Sequence, residues 1–190
     1  MLKIKIEKDF QKVLKERKEI EISTLRMLKA AIFNKEKEKR YKLSRQKPEL
    51  TGEELEKESQ LIDEELIEVI SSEVKKRNEA ILEFKKGKRQ DLVKKEKAEL
   101  EILEKYLPEQ LSEEEIKRMA KETIKEVGVK SLKDIGKVMA ELIPKIKGRA
   151  EGSLVSKIVK ELLQLNESSI HFNHQALAKV EKKKIFFDFQ

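Results

Sequence analysis

The stretch SLKDIGKVMAELIPKIKGRAEGS, Ser131 to Ser153, is where an amphipathic helix pattern meets proline, glycine and clustered basic side chains at fixed offsets. Ser131 followed by Asp134 is a helix-start signature, because the hydroxyl accepts from a free backbone N–H and the carboxylate faces the positive helix end. Ile135, Val138, Met139 and Leu142 then recur at three- and four-residue steps, which predicts one buried helical face. Pro144 lacks the N–H that would continue the ladder, so the helix is expected to end near it. Lys145, Lys147, Gly148, Arg149 and Gly152 follow and lead to Ser153, a second candidate N-cap. The pattern predicts a basic turn aimed at a helix N-terminus.

Two readings fit that turn. Free N–H groups and the dipole at a helix start favour an anion, and flanking cations add to the attraction, so a phosphate is the natural guest. Alternatively, Gly148 and Gly152 only permit the backbone angles of a tight helix–helix link, and the basic side chains are solvated. A nucleotide P-loop is excluded, since neither the Walker spacing nor its Lys-Ser/Thr pair is present.

Outward from this stretch, the chain of 190 residues is 43% charged and 38% hydrophobic, with 6 Gly and 3 Pro. Few turn residues and no strand-like alternation predict an all-α fold of long helices, with Glu and Lys alternating on their faces. Ile6, Phe10, Val13 and Leu14 mark a first short helix, and Leu25, Leu28 and Ile32 the core face of a second. Its continuation KEKEKRYK is too polar to bury and should project into solvent. Residues 42–60, with Pro48 and Gly52, read as a loop in which Thr51 and Glu54 could open a new helix. Leu66, Ile70, Val74, Ile81 and Phe84 mark a long helix ended by Gly87 at C′, and Val93, Leu100, Leu103 and Leu107 its antiparallel partner.

Pro108 marks the expected boundary. The domains predicted are a helical hairpin or bundle over 1–108, a small three-helix bundle over 109–165 and a flexible tail over 166–190. Ser112 with Glu115 starts the second domain, Gly128 stops its first helix, and Val155, Ile158, Val159, Leu162 and Leu163 line its third. The tail holds four of the seven Phe and both histidines, His171 and His174, which lack further ligands for a metal. Absence of cysteine removes disulfides and thiolate chemistry. No apolar run approaches the ~20 residues that cross a bilayer, and no signal core stands at the amino terminus, so a soluble cytoplasmic protein with no membrane role is expected.

The net charge of +7 is uneven. Residues 35–47 hold seven Lys/Arg against two Glu, residues 75–97 ten against four acidic, and residues 130–160 eight against three. Residues 109–126 reverse the balance with four against six. Separated basic segments are the footprint of polyanion binding, although charge-rich helices also display such pairs for solubility alone. Catalysis finds little support: the 37 acidic residues are matched by lysines, and GxSxG, HExxH and Rossmann patterns are absent. No cofactor and no metal are expected, and no residue is assigned a catalytic role.

The segments RMLKAAI, EVKKRNEAILEFKKGKRQDLV, YLPEQLSEEEI and DIGKVMAELIPKIKGRAEG resemble the YqeY family, also called the GatB/YqeY domain, over about residues 4 to 165. The resemblance implies an all-helical fold with a helical domain followed by a three-helix domain. It also implies tRNA contact, since the related segment of the GatB subunit of aspartyl/glutamyl-tRNA amidotransferase binds the tRNA body. A similar domain is appended to a glutaminyl-tRNA synthetase in some bacteria. Any carbon–nitrogen ligase activity with glutamine as amide donor would belong to other subunits. Three features depart from the family: Glu151 stands where Asp is usual, residues 42–60 are longer than the usual link, and the tail after Leu165 has no counterpart.

The expected function is therefore a tRNA-binding accessory protein that reads shape and phosphates without catalysis of its own. Lys137, Lys145, Lys147, Arg149 and Lys157 would contact the backbone, Gly148 would allow close approach, and Gly152 and Ser153 would receive a phosphate at the helix start. Lys75, Lys76, Arg77, Lys85, Lys86, Lys88 and Arg89 would extend the positive track. The few aromatics argue against a single-strand stacking platform. Two other readings stay open: a component associated with an amidotransferase, and an adaptor that tethers an aminoacyl-tRNA synthetase or similar enzyme through its acidic helix or Phe-rich tail.

Overall fold

The computed structural model describes residues 1–129 and 131–165, and the tail over 166–190, with His171 and His174, lies outside them. The described residues are all-helical, with no strand among them, and divide into two units, the first Met1–Glu109 and the second beginning at Gln110.

The first unit contains α1 (Leu2–Glu16), α2 (Glu19–Gln46), α3 (Gly52–Glu58), α4 (Asp63–Lys86) and α5 (Gln90–Glu104). Ile6 and Val13 of α1 meet Leu25, Leu28 and Ile32 of α2, Leu66 and Ile70 of α4, and Ile102 and Leu103 of α5 in one core. Fully burying such a side chain stabilises by roughly 1.5–3 kcal/mol, so the shared core rather than helix propensity holds these elements. Tyr106 closes it, its buried ring carrying a hydroxyl that donates to Asp9 at 2.9 Å. Burial, reinforced by the Asp9 carboxylate, pushes the phenol well above its usual range.

Several boundaries differ from expectation. The segment 42–60 is mostly not loop: α2 runs on to Gln46, and α3 occupies Gly52–Glu58. Thr51 does open α3 with a reciprocal capping box, its N–H donating to Glu54 Oε2 at 2.9 Å. α2 extends because its projecting end is held from the side. Lys39 donates to the Gln60 carbonyl at 3.1 Å and pairs with Glu65 at 2.7 Å, and Lys47 pairs with Glu58 at 2.8 Å. At the α4 end, Gly87 has φ −75°, and the left-handed position falls on Lys88 at φ 55°. Arg89 N–H donates back to the Phe84 carbonyl at 2.9 Å, which closes the turn that this conformation makes.

The second unit contains α6 (Glu113–Val127), a 3₁₀ turn at Leu132–Asp134, α7 (Ile135–Ile146) and α8, helical from 152 to the last described residue, 165. Ser112 and Glu115 form the expected capping box, and Gly128 at φ 71° ends α6 in the left-handed form. Ile116, Ala120, Ile124, Val138, Leu142, Val155, Val159 and Leu163 make the core. Ser131 opens the 3₁₀ turn rather than α7 itself, accepting from Lys133 N–H at 3.3 Å.

Pro144 does not end α7, which continues to Ile146. The proline removes a donor to the Ala140 carbonyl, yet Ile146 is 1% exposed and continues the Val138–Leu142 face at four-residue spacing. Burial of Ile146 carries the helix past the missing bond. Among the described residues, no helix is long and apolar enough to cross a membrane.

Candidate functional site

The basic turn of the second unit is built as follows. Ile146 ends α7 inside the core, and Gly148 reverses the chain at φ 72°, a region that side-chain-bearing residues rarely adopt. Three hydrogen bonds then fix the turn: Gln110 Nε2 donates to the Gly148 carbonyl at 2.8 Å, Leu111 N–H to the Arg149 carbonyl at 2.7 Å, and Arg149 N–H to the Ile146 carbonyl at 2.9 Å. Lys147 is exposed at its apex, and Arg149 is half-buried. Gln110 and Leu111 carried no signal as site residues in the sequence, because only the fold brings the segment after Pro108 beside the turn.

The other cations of this unit lie outside the turn or at its edge. Lys145 pairs with Glu126 at 2.8 Å, and that hydrogen bond raises the Lys145 pKa. Lys137 pairs with Asp134 at 2.7 Å, while Lys157 lies exposed on α8. The N-cap expected at Ser153 falls instead on Glu151. α8 starts at Gly152, Glu151 precedes it, and Val155 N–H donates to the Glu151 carbonyl at 3.1 Å. Ser153 lies inside the helix and its hydroxyl donates to the Glu151 carboxylate. A carboxylate thus stands beside the first turn of α8, where it complements the positive helix end.

In the first unit Lys85, Lys86, Lys88 and Arg89 gather at the α4–α5 turn, all exposed. Lys86 pairs with Glu83 at 2.7 Å. Arg89 holds Asp91 through two bonds of 3.0 and 2.8 Å, which lowers the Asp91 carboxyl to about 2. Lys75 and Lys76 lie mid-helix, at least nine residues or about 14 Å along α4 from Lys85. Lys75 lies 3.8 Å from Glu79, and Lys76 pairs with Glu73 at 2.6 Å.

Arg77 leaves the positive track altogether. It is 8% exposed and faces the α4–α5 seam, with Nε 2.8 Å from Glu99, 3.4 Å from Glu96 and Nη1 3.8 Å from Glu73. Its Nη2 also lies 3.6 Å from Met27 Sδ of α2. Arg77 stands nine residues before the end of α4 and Glu99 nine after the start of α5, the register of an antiparallel hairpin. Its charge is spent on three carboxylates of its own chain, so it is a structural pin and not a phosphate contact.

Among the described residues no group of His, Asp and Glu has the arrangement to hold a metal ion. Both basic turns are short links between helices, one in each unit, and both display cations on backbone that is hydrogen-bonded in place.

No curated protein matches the chain. The family model for Yqey-like protein matches residues 34–163, so the segment RMLKAAI at 26–32 falls outside it, as do the tail residues. That match takes in α4, α5, both basic turns and the α6–α8 core, and covers well over half of the sequence; the chain belongs to the YqeY family.

Proposed function

We propose that this protein binds tRNA as an accessory factor, contacting the phosphate backbone through the Lys145–Arg149 turn, with the α4–α5 turn as a second contact. The observation that carries this reading is the fixed turn: two carbonyls tied to Gln110 and Leu111 hold Lys147 at an exposed apex beside Arg149. A backbone already fixed has less freedom to lose on binding, and phosphate contacts of this kind position a polyanion without reading base sequence. The resemblance to the tRNA-contacting segment and the net charge of +7 support the same partner. The role is binding, with any amide transfer left to a separate enzyme.

Fluorescence anisotropy with total tRNA, at several salt concentrations, tests the proposal on the full chain. Wild type should bind at low salt with an affinity that falls steeply as salt rises. Lys147→Glu/Arg149→Gln should weaken binding and flatten the log–log slope by about 0.7–0.9 for each phosphate that is no longer neutralised. Circular dichroism of the variant should match wild type. Absence of binding at low salt, or a double variant with unchanged affinity and slope, would remove the proposal.

A further inference from the structure

The projecting half of α2 carries a pattern that the tRNA reading does not use. Phe33, Lys37, Tyr41 and Arg45 follow one another at four-residue steps, which places them along a single ridge of the helix. All four are exposed, Phe33 by 57% and Tyr41 by 60%. Lys37 Nζ lies over the Phe33 ring at 5.0 Å from its centroid, and the Arg45 guanidinium over the Tyr41 ring at 5.1 Å. The ridge therefore alternates ring and cation.

Neighbouring cations on α2 are engaged with the protein itself. Lys35 pairs with Glu38 at 3.3 Å, Lys39 with Glu65 and Lys47 with Glu58, and Arg40 donates to the Gly52 carbonyl at 3.3 Å. Lys37, Lys42 and Arg45 have no carboxylate within ion-pair distance among the described residues. An apolar helix laid on this ridge would strip water from Lys37 and Arg45 without supplying a counter-charge, which is costly. A polynucleotide supplies both complements at once: a phosphate for each cation and a π-face for each ring.

We propose that this ridge is a binding site for single-stranded nucleic acid, with unpaired bases stacking on Phe33 and Tyr41 and the intervening phosphates held by Lys37, Lys42 and Arg45. The rings are eight residues apart, about 12 Å along the axis. One stacked nucleotide rises about 3.4 Å, so the rings take two bases separated along the strand rather than adjacent ones. Stacking is tolerant of sequence, because every base has a π-face. The site stands independently of the second unit's turn, since its ligand needs unpaired bases and not a folded tRNA.

The test uses the full chain, a 12-nucleotide oligo(A) RNA and an abasic phosphodiester of the same length and charge. Wild type should bind the oligo(A) at least tenfold more tightly than the abasic chain. Phe33→Ala/Tyr41→Ala should abolish that difference while leaving the helical circular dichroism signal intact, because both side chains are exposed. The chain contains no Trp, so Tyr41→Trp introduces a single reporter. Its fluorescence should be quenched saturably by oligo(A) and not by the abasic chain. Equal affinity for the two oligomers, a base preference that survives in the double variant, or failure to bind either would overturn the proposal, the last leaving the ridge as a surface for protein.

Discussion

Arg77 belongs by sequence to the basic triplet Lys75-Lys76-Arg77 and by structure to the interior. Its neighbours point to solvent because successive residues on a helix are turned by about 100°, and only Arg77 falls on the stripe shared with Ile70 and Ile81. Glu73 and Glu99 are buried with it, at 7% and 5% exposure, so its removal would leave carboxylates uncompensated away from water. Arg77→Ala should therefore cost about 3–5 kcal/mol in urea denaturation. Arg77→Lys should recover only part of the loss, since an ammonium cannot reproduce the guanidinium's several directed donors. The triplet was legible as charge, and the spacing of Arg77 from Ile70 and Ile81 singles out the inward member, but its partners across the seam were not legible, because Glu96 and Glu99 sit on a different helix. Ser153 shows the same limit: its identity suits an N-cap, but Glu151 two residues earlier takes the helix end.

At the scale of elements, the reciprocal capping boxes marked their starts, whereas Ser131 and Ser153 did not open the helices expected of them. Thr51–Glu54 and Ser112–Glu115 each form the reciprocal box that their spacing predicts, because both halves of that interaction lie within one turn. Stops depend on what lies beyond the turn. α7 passes Pro144 to bury Ile146, α2 runs through a polar stretch braced by Lys39, and α4 ends with Lys88 rather than Gly87 in the left-handed conformation. Lys88→Gly should therefore raise the stability of the first unit by about 0.5–1 kcal/mol, because glycine takes φ 55° without the contact between Cβ and backbone. Thermal denaturation with Gly87→Ala alongside is the check, since Gly87, at φ −75°, offers no such gain. The α2 ridge is also an element-scale property. Counting seven Phe and two Tyr across the chain argued against a stacking platform, whereas the ridge depends on two rings at the right spacing on a helix that extends to Gln46.

At the scale of the molecule, each unit has its own hydrophobic core, with no residue common to both. A unit with the short core of α6, α7 and α8 has little stability to lose. Leu142→Ala, at a site with no exposure, should remove about 2–5 kcal/mol and unfold the second unit, while slow amide exchange persists in the Leu66–Leu103 core of the first. Hydrogen exchange resolved by residue would show this directly. Loss of protection in both units together would mean that they unfold as one.

What the amino-acid order determined by itself is the all-helical class, the capping-box starts and most of the inward faces, because helical periodicity and capping act over three or four residues. It also carried the family resemblance, whose motifs are local. Only the tertiary structure decided which charges are spent inside the protein and which remain at the surface. Arg77 joined Glu73 and Glu99, Lys145 joined Glu126, and the turn at Gly148 was fastened by Gln110 and Leu111. Apart from Glu73, which lies one turn before Arg77 on the same helix, these partners are far apart in the chain and brought together by the packing of helices, and no spacing rule reaches across that distance.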